Sequence, residues 1–353
     1  MADAPILDAH VHQWDPKGTP REVTTAVKLL GWSPRLLETV VRAAIPKPLI
    51  DFVGKADHAL NNYLPENLRH DCGEHASRHE GVVHVQAGWK AKSHRDLVDE
   101  TSWLESIDPT GGTIRAIVGA AHLDATDLPE VLDAHEATSP RFRGIRDMLS
   151  AHPDDAIVDF ARSPDLMRNE AWRAGYGLLG ERGLSFDAWM YHHQLDEFIT
   201  LAQEYPDTSF VLCHLATPVA MAGEFGGRGV DAKERERIEE EWKAALTRIA
   251  AVPHGRFKIS GMLMPIVGFG AERREHPMTK SEFIDRLGPF LTWTLDTLGI
   301  ERCMFGSNFP MDKVSIDWAT LVSGYDELLA DRSDDQRRRF WAETARSFYR
   351  IER

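Results

Sequence analysis

Cysteine is scarce: Cys72, Cys213 and Cys303 are the only three in 353 residues, and no CxxC spacing occurs. That argues against a disulfide framework and against a structural zinc site. Cys213 and Cys303 fall in apolar runs and read as small core residues. Positive charge is also short, with 41 Lys and Arg against 55 Asp and Glu and a formal net charge of -14. Nonspecific attraction to nucleic acid or anionic lipid is therefore not expected. A local cluster of arginines can still override the global sign for a small acidic substrate. No apolar run approaches a membrane span, and no basic-then-apolar signal segment is present. Cytoplasmic residence is the expectation. Repeats, low-complexity tracts and convincing linkers are missing too, which leaves a single domain over 1–353. With 42% apolar and 27% charged residues, the chain has ample material for one large buried core.

What is present is a repeated alternation of short apolar runs and amphipathic stretches, the pattern of βα units around a parallel sheet. The strands are expected at Ile6–His10, Val82–Gln86, Ile114–Ala120, Phe142–Arg146, Leu184–Trp189, Phe210–His214, Phe257–Ser260 and Cys303–Gly306. Helical patterns lie between them, as at Leu195–Glu204 and Ser281–Leu298. Eight strands in order predict an α/β fold, a distorted (β/α)8 TIM barrel. Two long insertions interrupt it, residues 13–80 after strand 1 and 217–242 after strand 6. The charged run Lys233–Glu241 in the second reads as a solvated helix face. Such loops leave the C-terminal ends of barrel strands and cover the mouth.

Polar residues recur at those strand ends. His10-Val11-His12 closes the first strand, and period two places both imidazoles on one face, able to bind a divalent metal or surround an anion. The plainer alternative is a pair of surface histidines in a turn. Arg146 ends the fourth strand, while Arg143 faces the other way. Asp187 and Trp189 share a face of the fifth, followed by His192 and His193, of which one can face the site. His214 ends the sixth, Lys258 and Ser260 share a face of the seventh, and Asn308, with Asp312 beyond it, follows the eighth. Each also has a structural reading: His214 as a satisfied core histidine, Arg146 in an ion pair, Asp187 as a helix cap. Trp89 and Trp189 read as pocket walls, and Tyr63 could reach in from the first insertion.

Four ordered motifs, Asp8-Ala9-His10-Val11-His12, Phe142-Arg143-Gly144-Ile145-Arg146, Val211-Leu212-Cys213-His214-Leu215 and Phe305-Gly306-Ser307-Asn308-Phe309-Pro310, together with Tyr63-Leu64-Pro65-Glu66, carry a resemblance. They resemble the amidohydrolase-related branch of the metal-dependent hydrolase superfamily, over nearly the whole chain. The resemblance implies a TIM barrel with its site at the strand C-termini. It also implies kinship with lactonases acting on sugar-acid lactones, pyrone dicarboxylates and muconolactones, and with nonoxidative decarboxylases. In metal-using relatives, the first-strand histidines are joined by a fifth-strand ligand and an eighth-strand Asp. Here Asn308 stands at that last position, and an amide is a poor ligand and no general base. The fifth strand offers Asp187 or Trp189 in place of the expected His or Lys.

The leading expectation is hydrolysis of a lactone or similar cyclic ester of a small, acidic metabolite. His214, Asp187 and Asn308 are the catalytic candidates, Arg146, Trp89, Trp189, His192 and Lys258 the substrate-binding ones, and His10 and His12 the metal candidates. Two versions stay open, one with a bound Zn or Mn and one independent of metal. A metal-dependent nonoxidative decarboxylase and a barrel that binds a small ligand without turnover are the alternatives. Nucleic acid and membrane are not expected partners, and a homodimer is left open.

Overall fold

The computed structural model describes residues 4–55 and 60–352. Eight parallel strands follow one another in chain order around a single sheet. They are β1 (Ile6–Val11), β2 (His79–Val85), β3 (Ile114–Gly119), β4 (Phe142–Ile145), β5 (Ser185–Ala188), β6 (Phe210–Leu212), β7 (Gly255–Ile259) and β8 (Cys303–Phe305). Every expected strand is present, with ends shifted by up to three residues. The last strand returns to the first at their C-terminal ends. There His12 N–H donates to the Phe309 carbonyl at 2.8 Å, and Asn308 N–H donates to the His10 carbonyl at 2.9 Å. Asp8 fastens the same seam, its Oδ1 accepting from Ser307 N at 2.8 Å and its Oδ2 from Trp318 Nε1 at 3.0 Å.

The strands are apolar on both faces because both are covered, as parallel sheets require. Inside the barrel, Leu7, Ala9, Val83, Val85, Ala116, Val118, Val211 and Met304 pack on one another and on Ala342, Ala345, Tyr349 and Ile351. The C-terminal segment thus plugs the end of the barrel opposite the mouth. Arg143 holds it there, donating from Nε to the Tyr349 carbonyl at 2.7 Å. Outside, β5 and β6 present Phe186 and Phe210 to Phe198 of the helix Leu195–Glu204. Helix starts are written locally: Asn169 caps Glu170–Glu181, Asp231 caps Ala232–Ala250, and Thr279 with Glu282 forms a capping box on Lys280–Leu298.

The first insertion carries the helices Thr24–Leu30, Pro34–Ala44, Lys47–Val53 and Pro65–Asp71 before β2. After β6, the chain runs from Cys213 to the helix Ala232–Ala250, so the whole charged run Lys233–Glu241 lies in that barrel helix. Two further long segments, 146–169 after β4 and 260–279 after β7, also overhang the mouth. Among the described residues, no helix is long and apolar enough to cross a membrane.

Candidate active site

Three imidazoles meet at the C-terminal mouth. His10 and His12 bring their Nε2 atoms to 3.3 Å, helped by a register irregularity in β1 between Asp8 and Val11. The His214 ring centroid lies 4.4 Å from that of His10. His214 opens a run of four left-handed residues, with φ of 53°, 51°, 55° and 28° at His214, Leu215, Ala216 and Thr217. Such backbone is costly for residues with a Cβ and recurs at functional sites. The turn lays the ring against Gly261, where a Cβ would stand 2.4 Å from Nδ1, so only glycine fits.

Hydrogen-bond direction fixes the tautomers. A carbonyl only accepts, so the 2.8 Å contact with the Val85 oxygen places the His12 proton on Nδ1 and leaves its Nε2 lone pair facing His10. An ammonium only donates. Lys258 Nζ gives one hydrogen bond to Asp187 Oδ2 at 2.6 Å and faces His10 Nδ1 at 3.5 Å. His10 therefore carries its proton on Nε2 and donates it to His12. Asp187 is completed by the Tyr349 hydroxyl, 2.9 Å from Oδ1. Lys258 and Asp187 are both wholly buried. His214 Nδ1 contacts Ser260 Oγ at 2.9 Å, and that hydroxyl can donate to the Lys258 carbonyl at 3.5 Å, which leaves His214 Nε2 as a free lone pair.

Charge reinforces this arrangement. Burial, joined by the charges of Arg146 and Lys258, pulls His12 down to about 3. Burial and the surrounding cations hold His10 and His214 well below the usual histidine value. All three are neutral at physiological pH. Arg146 is 4% exposed, donates from Nη2 to the Gln86 carbonyl at 2.5 Å and lies over Trp189 at 5.7 Å. Among the described residues, no carboxylate oxygen comes within 4.0 Å of it, and Asp187 and Glu100 act on the buried guanidinium only from farther off.

His10, His12, Arg146, Asp187, Trp189, His214 and Lys258 thus come together, and three sequence candidates do not join them. Trp89 lies half-buried against Trp103 on the outer layer, 6.2 Å between rings. His192 is buried between the strand-5 and strand-6 loops beside His193. Asn308 is adjacent through its backbone, yet its amide donates to Asp312 Oδ1 at 2.9 Å. Asp312 itself faces a small cavity behind β7 and β8, lined by Ser260, Leu263, Phe283 and Tyr325, and burial pushes it up to about 7. Tyr63 is spent on Asp71 at 2.9 Å. Sequence reasoning missed Trp14, stacked on His12 at 6.4 Å, and Tyr349. It also missed Phe52 of the helix Lys47–Val53, which packs on Phe160 and Trp189.

A divalent ion finds two suitable ligands here and lacks the rest. Two imidazole nitrogens on one tetrahedral ion stand about 3.3 Å apart, which His10 and His12 match. Among the described residues, the one trio of ligand atoms within 4.8 Å of one another is His10, Asp187 and Cys213. Lys258 already occupies that Asp187, and burial pushes the Cys213 thiol up to about 12. With the His10 proton directed at His12, the donor set does not fit a catalytic metal.

The chain is similar to the uncharacterized protein y4mH of Sinorhizobium fredii, 27% identical over 352 residues, covering 99% of this chain and 100% of that one. An L-fucono-1,5-lactonase of Burkholderia ambifaria is 26% identical over 259 residues, covering 72% and 77%. The crystal structure of an amidohydrolase from Burkholderia multivorans with bound HEPES superposes with a TM-score of 0.72 at 22% identity, covering 99% and 100%, and a second crystal form of it holds zinc. The amidohydrolase family model matches residues 7–351. A histidine-lined barrel mouth and a match running from β1 to the C-terminal plug make one finding: this chain is a hydrolase belonging to the amidohydrolase family.

Proposed function

We propose that the protein opens a lactone, adding water to a cyclic ester at the barrel mouth without recruiting a metal ion. The observation that carries this reading is the buried guanidinium of Arg146, in direct contact with no carboxylate, facing three neutral imidazoles. Arg146 donates to the ester carbonyl oxygen and stabilises the negative charge that develops there, and such a preorganised donor contributes on the order of 3–4 kcal/mol. His214 Nε2 takes a proton from the attacking water, while Ser260 holds the ring from Nδ1. The ring C–O bond then breaks, and His214 returns the proton to the leaving oxygen, giving a hydroxy acid. Asp187 and Lys258 position His10 from below and do not meet the substrate. The similarity to L-fucono-1,5-lactonases supports this reading.

The test is acid release from a panel of sugar-acid and aromatic lactones, before and after exhaustive chelation. Ring opening that survives chelation is expected. Carbon dioxide release from aromatic acids in place of lactone opening would transfer the assignment to decarboxylation. No turnover of either class would leave a ligand-binding barrel.

A further inference from the structure

Beside the histidine pair, five buried side chains, Gln13, Arg21, His84, Glu100 and Arg146, are each 9% exposed or less. Together they hold six buried polar atoms without a hydrogen-bond partner: Gln13 Oε1 and Nε2, Arg21 Nη2, His84 Nε2, Glu100 Oε2 and Arg146 Nε. Elsewhere among the described residues, such atoms occur one to a residue. Native interiors leave few polar groups unpaired, and a cluster of them marks a place for a polar occupant.

These residues form one wall. His84 Nε2 and Arg21 Nη2 stand 3.9 Å and 3.7 Å from the same oxygen, Glu100 Oε1. The Gln13 backbone N–H donates to His84 Nδ1 at 3.1 Å. Arg21 and Arg146 grip the neighbouring carbonyls of Ala87 and Gln86. The Trp14 ring flanks the wall, with the Arg21 guanidinium over it at 5.7 Å and His12 stacked on it. The wall therefore begins where the His10–His12 pair ends.

Direction again identifies the ligand chemistry. Because Gln13 N–H donates into Nδ1, the His84 proton sits on Nε2. The vacant donors are then Arg21 Nη2, Arg146 Nε, His84 Nε2 and the Gln13 amide nitrogen. The vacant acceptors are Glu100 Oε2 and Gln13 Oε1. A carboxylate only accepts, and it would meet Glu100 with like charge. A hydroxyl both donates and accepts, and adjacent hydroxyls satisfy a wall of mixed sense. We propose that Gln13, Arg21, His84 and Glu100, with Trp14 alongside, form the subsite for vicinal hydroxyls of a polyhydroxylated lactone. This rests on the lactonase reading and selects, within it, sugar-acid lactones over flat dicarboxylated ones.

The experiment compares kcat/KM for a sugar 1,5-lactone with that for unsubstituted δ-valerolactone. A preference of about 100-fold or more for the hydroxylated ring is expected, since a site built to bond hydroxyls discriminates strongly against an analogue lacking them. Gln13→Met removes only the two unpartnered atoms, so its melting temperature should hold while the preference falls about tenfold or more. Glu100→Gln is the second variant, read the same way. An equal loss on both lactones, or an unchanged preference in both variants, overturns the proposal and leaves the wall to bound water. Calorimetry with the open-chain sugar acid reads the subsite without turnover. Binding that weakens about tenfold in Gln13→Met upholds the subsite even where no lactone is opened, and binding that is absent or unchanged refutes it.

Discussion

Replacing Lys258 by Met is the most demanding test of the site, because it removes one charge from a pair that water never reaches. Asp187 Oδ2 would lose a partner at 2.6 Å and keep only the Tyr349 hydroxyl and a distant Cys213 thiol. Removing one member of a buried ion pair costs about 3–5 kcal/mol. A chain of 353 residues has an unfolding entropy of roughly 0.7 kcal/mol per kelvin. Lys258→Met should therefore lower the melting temperature by about 4–7 °C. Adding Asp187→Asn removes the stranded carboxylate, and the double variant should recover at least about 2 kcal/mol relative to the sum of the single effects. The chemistry should change as well. With the ammonium gone, His10 can carry its proton on Nδ1, and both Nε2 lone pairs become available to zinc. Calorimetric melts of the four proteins, and zinc content after dialysis against zinc, measure both consequences. Strictly additive melting shifts would refute the coupled pair. Wild-type protein holding zinc as tightly as Lys258→Met would refute the hydrogen-bond direction assigned to His10.

Arg146→Met should lower kcat/KM for the best lactone by about 10²–10³-fold with little change in melting temperature, as steady-state kinetics and melts would check. His214→Asn should lower kcat by at least about a hundredfold. Because burial and neighbouring cations keep His214 neutral well below the usual histidine range, wild-type kcat/KM should show no histidine limb between pH 8 and 6. The neutral histidines also set an acid limit to stability. His12 is held down to about 3 in the folded protein, whereas an unfolded histidine titrates near 6.5. Its contribution is complete above that unfolded value and falls by about 1.4 kcal/mol per pH unit below it, until the folded value is reached. His12→Gln should flatten the acid side of the melting profile, and an unchanged slope would count against the shift. Asp312 works in the opposite sense: its folded value, pushed up to about 7, makes it a burden that grows as pH rises from its unfolded value towards 7. Asp312→Asn should stabilise the protein at pH 8 and leave it nearly unchanged at pH 4, read by thermal melts.

The sequence by itself determined the barrel and the first tier of the site. Eight apolar runs at βα spacing match the strand count of a closed (β/α)8 barrel, and period two along β1 was enough to pair His10 with His12. Arg146 and His214 were legible because each ends a strand, and strand ends are where a barrel exposes chemistry. Position along the chain misled where a loop intervened. Asn308 follows β8 as expected, yet a left-handed backbone step, with φ of 57°, and Asp312 turn its amide aside. Trp89 lies just past β2, yet it packs outward on Trp103.

Only the tertiary structure decided the state of the histidines. Lys258 and Asp187 are 71 residues apart, and Tyr349 stands 162 from Asp187. Neither local pattern nor propensity connects them. Their meeting follows from the curvature of the barrel, which turns the inward side chains of the alternate strands β5 and β7 towards each other and lets the C-terminal segment reach them from inside. The same holds for Arg21, His84 and Glu100, which arrive from an insertion, a strand and a helix. Direction of donation and loss of solvent depend on what surrounds an atom in three dimensions, and a linear chain carries that information only through the fold it forms.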